Sequence, residues 1–176
     1  MRKNILTFIF IVILILIIFL IQLYFINPRS LFGIKPNLIL ILSIVISLWY
    51  GVYTGGISSF IIGFITDILI GSSQIGIFTI SYTIVGLVVG SLNANYRKES
   101  KMSLVYVSII ATFVFEIVEY FCYLIFFSVN TSIFYLLKQI FISSLLNIAI
   151  VYVIYSVIYN ITEYIEDRII QNSNGF

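Results

Sequence analysis

Residues 50–90 read YGVYTGGISSFIIGFITDILIGSSQIGIFTISYTIVGLVVG, and this stretch holds eight of the ten glycines in the chain. At about 100° per residue, an arc of roughly 120° on one helix is shared by Gly55, Gly56, Ser59, Gly63, Thr66 and the carboxylate of Asp67. The arc carries almost no side-chain bulk, so we predict that another helix packs closely against it. The next predicted helix also has a small-residue face, formed by two glycines four residues apart. The predicted packing or partner surface comprises Gly55, Gly56, Ser59, Gly63, Gly86 and Gly90.

The composition of the whole chain is that of a membrane protein. Hydrophobic residues make up 61% of the 176 positions, charged residues make up 9%, and the mean hydropathy is +1.18. A soluble domain averages about 25% charged residues, so we predict an all-α, polytopic integral membrane protein with a single domain over residues 1–176. The net charge of +2 is too small to indicate nucleic-acid binding.

Few residues of the chain could carry catalysis or hold a cofactor. There is no histidine and only one cysteine, Cys122, which excludes a disulfide within the chain and argues against a His/Cys metal site. There is also no nucleophile-elbow serine and no phosphate-cradling loop. We therefore predict no enzymatic activity, no catalytic residue, no metal and no cofactor.

Apolar runs separated by polar loops predict six transmembrane helices. Their expected bounds are residues 5–26, 37–53, 55–70, 74–92, 103–127 and 133–159, followed by a cytoplasmic tail over 160–176. The second and third are short, because a hydrocarbon core of about 30 Å needs about 20 helical residues. An alternative is that these two form a tilted or re-entrant hairpin shielded by other helices, and a five-span interpretation would merge them.

The loop charges predict the orientation of the chain in the membrane. With six spans and the N-terminus inside, the outer loops carry two basic residues, Arg29 and Lys35. The cytoplasmic side carries six: Arg2, Lys3, Arg97, Lys98, Lys101 and Arg168. This bias follows the positive-inside rule, so we expect both termini in the cytoplasm.

Five polar or charged residues are predicted to lie inside the membrane: Asp67, Glu116, Glu119, Lys138 and Asn147. A charge at the centre of a membrane helix costs about 2.5–3.5 kcal/mol, so such residues face protein or water and usually have partners. We expect Glu119 to pair with Lys138 and Asp67 with Lys35, and Glu116 to be protonated or to contact Asn147. Two interpretations stay open, a structural polar clasp between helices and a cation path or polar-ligand pocket.

The glycine-rich stretch resembles the signature region of the MreD family of bacterial rod shape-determining membrane proteins. That pattern runs from a proline and an apolar helix into Gly-Phe-x-x-Gly-Leu-x-x-Asp, then a glycine-bearing turn and a second glycine-bearing helix. The matching residues are Pro36, Gly55, Phe60, Gly63, Phe64, Asp67, Gly71, Gly76, Gly86 and Gly90. The chain departs from the pattern at Asn37, where the family often has Asp, and at Ser59, where it often has Gly. The detailed match covers about residues 35–92.

The resemblance implies a non-enzymatic component of the cell-elongation complex in the bacterial inner membrane, in contact with membrane lipids. It implies a hetero-oligomeric complex with MreC, the actin-like MreB, the glycosyltransferase RodA and the elongation penicillin-binding protein. It also implies a compact bundle similar to the substrate-binding components of energy-coupling-factor transporters.

A vitamin-type transporter subunit is therefore the alternative function. Helix 1 argues against it, because it has no alanine for the Ala-x-x-x-Ala face that such components typically offer to their coupling subunit. A purely structural membrane oligomer is a third interpretation.

Overall fold

A computed structural model describes residues 15–26, 33–70, 76–93, 101–127 and 132–173, and within its last helix it describes side chains to residue 153. These residues form helices and no strand. Helix α1 covers residues 15–21 and continues as a π-helical turn, Gln22–Ile26. The other helices are α2 (Leu38–Ile70), α3 (Ile77–Ser91), α4 (Lys101–Phe127) and α5 (Ile133–Ser173).

Some of the sequence predictions fall outside the described residues. They include the start of helix 1 at residue 5, Arg29, Gly71, the start of helix 4 at residue 74, and the basic loop that contains Arg97 and Lys98.

Helix α2 is a hairpin of two arms, residues 38–50 and 52–70. Gly51, between them, has φ 79° and ψ −171°, a conformation essentially restricted to glycine. The hydroxyl oxygens of Ser43 and Ser59 would be about 24 Å apart along a straight helix, yet they lie 2.6 Å from each other. The arms are therefore antiparallel. The predicted break, between residues 53 and 55, falls a few residues after the observed one, because Gly51 takes the reversal and the Gly55–Gly56 pair stays helical.

The remaining helices pack beside this hairpin or beside one another. The second arm packs along α3 through small residues, and α3 packs on α4 through aromatic rings. The ring centroid of Phe115 lies 5.0 Å from that of Tyr82 and 6.4 Å from that of Phe78. The buried core lies between the first arm, α3 and α4, and its residues include Ile44, Leu48, Val85, Val89 and Leu104.

By length and composition, three described helical stretches could cross a membrane: Leu38–Ile70, Met102–Phe126 and Ile133–Val153. Within the first of these, only the second arm, residues 52–70, is long enough to cross by itself. Six spans stay a prediction, because the first arm of α2 and the 15-residue α3 are shorter than the roughly 20 residues of a full crossing. Helix α5 continues to Ser173, past its predicted end at residue 159 and through most of the predicted tail. No proline or glycine interrupts the chain there before Gly175.

Candidate functional site

The six small residues predicted to pack are all buried, and they lie at contacts inside the chain. A β-carbon added to Gly63 would lie 2.7 Å from the carbonyl oxygen of Phe78 and 2.7 Å from the Cα atom of Thr79. One added to Gly90 would lie 2.7 Å from the Cα atom of Val52.

The other four small residues line the same contacts. A β-carbon on Gly55 would meet Ser47 at 2.8 Å, one on Gly86 would meet the carbonyl oxygen of Gly55 at 2.7 Å, and one on Gly56 would meet the tip of Leu87 at 2.7 Å. Ser59 bonds Ser43 across the hairpin. This surface is therefore occupied by the chain's own first arm and α3.

Asp67 caps α3 from the neighbouring arm. The N-cap of α3 is Gly76, which has no side chain to accept from the first backbone N–H groups. Instead, Oδ1 of Asp67 accepts from the N–H of Phe78 at 3.1 Å, and Oδ2 accepts from the N–H of Thr79 at 2.8 Å and from the Thr79 hydroxyl. These are the second and third residues of α3, the positions that a capping side chain normally serves. The carboxylate also lies at the positive end of the helix dipole.

Asn37 joins four helices at the start of α2. Its Oδ1 atom accepts from the backbone N–H of Leu40 at 2.9 Å, which caps α2, and from the hydroxyl of Tyr82 on α3 at 2.9 Å. Its own backbone N–H donates to Oδ1 of Asn147 on α5 at 3.1 Å. The amide of Asn147 in turn donates to Oγ1 of Thr112 on α4 at 3.0 Å. Both asparagines therefore hold helices together.

Gln22 brings α1 into the same junction. Its Nε2 atom donates to the carbonyl oxygen of Pro36 at 3.1 Å, and its Oε1 atom accepts from the N–H of Leu38 at 2.9 Å. Sequence reasoning missed both Gln22 and the role of Asn37. The available signals were a glutamine in an otherwise apolar run and a side chain able to cap a helix directly after a proline.

A cavity of about 250 Å³ opens beside this junction. Glu116 and Glu119, one helical turn apart on α4, both line it. Oε2 of Glu116 accepts from Nε2 of Gln139 at 2.6 Å. Among the described residues, no hydrogen bond or ion pair engages the carboxylate of Glu119. Carboxylates in such a cavity can accept hydrogen bonds from a ligand that brings N–H groups.

The expected charge pairs differ from the observed contacts. Lys138 is exposed and does not line the cavity. This exposure follows from the helix geometry. Gln139 contacts Glu116 on α4, and Lys138 lies about 100° around α5 from Gln139, so its side chain points away from α4. Asp67 bonds the start of α3 and not Lys35, and Asn147 bonds Thr112 and not Glu116. Within the described part of the chain, no group of three or more His, Cys, Asp or Glu side chains could hold a metal.

Comparison with known proteins places this architecture in a family. The model of one protein family, described as rod shape-determining protein MreD, matches residues 1–164. The chain belongs to the MreD family. No curated protein and no solved structure matches it.

Membership of the MreD family gives the chain a role in determining rod shape. The match extends well beyond residues 35–92, which carried the resemblance in the sequence, and it includes α4, α5 and the cavity between them. A family of shape-determining membrane proteins, together with three helices able to cross a bilayer, fits a multi-pass protein of the bacterial inner membrane.

Proposed function

We propose that the chain is a non-enzymatic membrane component of the cell-elongation complex and docks MreC, MreB, RodA and the elongation penicillin-binding protein for lateral wall synthesis. The observation that carries this proposal is the MreD family match over residues 1–164. The alternative, a vitamin-type transporter subunit, receives no support from the comparisons.

The outward face of the second α2 arm is the surface we assign to docking. Its small residues face the first arm and α3, so its large side chains face away from the chain. Phe60 is 50% exposed and Phe64 is 49% exposed, and their rings are stacked with centroids 6.5 Å apart. Both belong to the signature pattern, although neither supports the chain's own core. A single transmembrane helix of a partner such as MreC would cover such a face by packing against the two rings.

Replacing both rings tests the docking surface. We expect Phe60→Ala with Phe64→Ala to lower the recovery of MreC with the tagged chain by about tenfold or more, because aromatic anchors of an interface are typically worth over 1 kcal/mol each. The matched control is Phe113→Ala with Phe121→Ala on α4, since these residues are 49% and 55% exposed. Undiminished recovery with the α2 variant, at equal abundance in the membrane, would remove this face from the docking role.

We also propose that both termini lie in the cytoplasm, from the bias of six basic residues against two. A reporter fused after Phe176 is expected to report a cytoplasmic location, and one inserted within Ser128–Ser132 an external location. An external C-terminus would overturn the six-span topology on which this orientation rests.

A further inference from the structure

The cavity beside Asn37 has charges of opposite sign at its opening and on its inner wall. We infer that the opening lies at Gly33 and Lys35, because both residues line the cavity and both are exposed. The inner wall holds Glu116, which is only 7% exposed, and Glu119 one turn further along α4. Among the described residues, Lys35 forms no ion pair with either glutamate. A cation and two carboxylates therefore line one space without neutralising each other by direct contact.

Among the described residues, one of the two carboxylates on the inner wall has no hydrogen-bond donor. Glu116 is bonded by Gln139, whereas Glu119 receives no hydrogen bond from the described residues. An ionised carboxylate can accept about four hydrogen bonds, and carboxylates at membrane depth are found with partners or water. The rings of Phe78 and Phe115 also line the space, and aromatic faces attract cations. The wall therefore favours a ligand that carries a cationic N–H donor.

The depth and size of the cavity further restrict which ligands could bind there. Glu119 lies about 12 Å from the end of α4 at Phe127, and Tyr135 on the cavity wall lies in the first turn of α5. The opening is therefore near the level of lipid headgroups. At about 30 Å³ for each water-sized group, the cavity of about 250 Å³ accommodates roughly eight non-hydrogen atoms.

We propose that this cavity binds a small zwitterion, with a primary ammonium group on Glu119 and Glu116 and an anionic group at Lys35. An aminoethyl phosphate has this chemistry and size. It can come from a free molecule or from the headgroup of phosphatidylethanolamine in the surrounding bilayer. The binding site goes beyond the docking function and does not depend on it.

The test uses the purified full chain in nanodiscs of phosphatidylglycerol, alone or with phosphatidylethanolamine or phosphatidylcholine at one third of the lipid. We expect the Tm to be higher with phosphatidylethanolamine than with phosphatidylcholine, because the quaternary ammonium group of phosphatidylcholine has no N–H to donate. The difference should be about 3–6 °C when the lipid concentration is about ten times its Kd. If the ligand is a free molecule, soluble O-phosphoethanolamine added to phosphatidylglycerol discs gives the shift and the lipid does not. Equal Tm values under all these conditions would refute the proposal, as would a rise in Tm that is equally large with phosphatidylethanolamine and phosphatidylcholine.

Two variants locate the effect in the cavity. Glu119→Gln is expected to abolish the shift, whereas the matched control Lys138→Met, which removes an exposed charge outside the cavity, is expected to keep it. A full shift in Glu119→Gln would contradict the assignment of the ammonium group to this carboxylate. If Glu119→Gln does not fold, the Tm of the wild-type chain with each lipid and with soluble O-phosphoethanolamine decides the question.

Discussion

Gly63→Leu is expected to prevent the second arm of α2 from packing on α3. Even the β-carbon of alanine at this position would lie 2.7 Å from backbone atoms of Phe78 and Thr79, and backbone of a packed helix cannot move aside cheaply. Overpacking of this kind typically costs about 1–3 kcal/mol, so we expect Gly63→Ala to lose that much stability and Gly63→Leu to lose more. The measurement is the Tm of the purified protein together with its abundance in the membrane.

Two controls separate this contact from a general effect of substitution. Gly56→Ala adds the same atom on the same arm, but the atom 2.7 Å away is the tip of the flexible Leu87 side chain, so we expect little loss. Ile61→Leu, at a residue that is 51% exposed, should also be tolerated. If Gly63→Ala unfolds at the same temperature as Gly56→Ala, the close approach of the two backbones at Gly63 is wrong.

Asp67→Ala is expected to destabilise the start of α3 by about 3 kcal/mol, because it removes three hydrogen bonds to a carboxylate that is 1% exposed. Asp67→Asn should lose less, since one acceptor oxygen remains. It should still be harmful, because the new amide group places a donor against the donors of Thr79 or Phe78. Thr79→Val removes only the hydrogen bond from the Thr79 hydroxyl. From most to least stable, the expected order is therefore wild type, Thr79→Val, Asp67→Asn and Asp67→Ala.

The same series distinguishes a helix cap from an ion pair with Lys35, which the sequence favoured. Lys35→Met should leave the stability unchanged if Asp67 acts only on α3. Hydrogen exchange at the N–H groups of Phe78 and Thr79 gives a local readout, and it should accelerate in Asp67→Asn. A large loss in Lys35→Met with slow exchange at Phe78 would favour the ion pair.

The parts of the fold that depend on residue size or on hydrophobicity alone were predictable from the sequence. Small residues at helical spacing identified the buried side of the second arm, and the apolar composition predicted helices in a membrane. The position of the reversal was harder to predict, because Gly51 and the Gly55–Gly56 pair are equally able to take a positive φ. The register of the two arms follows from contacts across the hairpin, of Ser59 with Ser43 and of Gly55 with Ser47.

The site was less predictable, because a charged residue in an apolar helix first suggests a charged partner, as with Glu119 and Lys138 or Asp67 and Lys35. Asp67 bonds backbone N–H groups of a helix that begins at a glycine, and Glu116 bonds the neutral Gln139. The stripe of Gln139, Ser143 and Asn147 at intervals of four residues was visible in the sequence, and it excludes Lys138 from the same face. The junction at Asn37 depends on contacts more than 100 residues apart, which no local pattern encodes.

The proposed role in rod shape is tested most directly by the ratio of cell length to width after the chain is depleted from its bacterium. We expect depleted cells to become round, and plasmid-borne wild type and Gly56→Ala to restore rods, because both keep the hairpin packed on α3. Gly63→Leu is expected to leave the cells round. Depleted cells that keep their rod shape over several generations would contradict the proposed function.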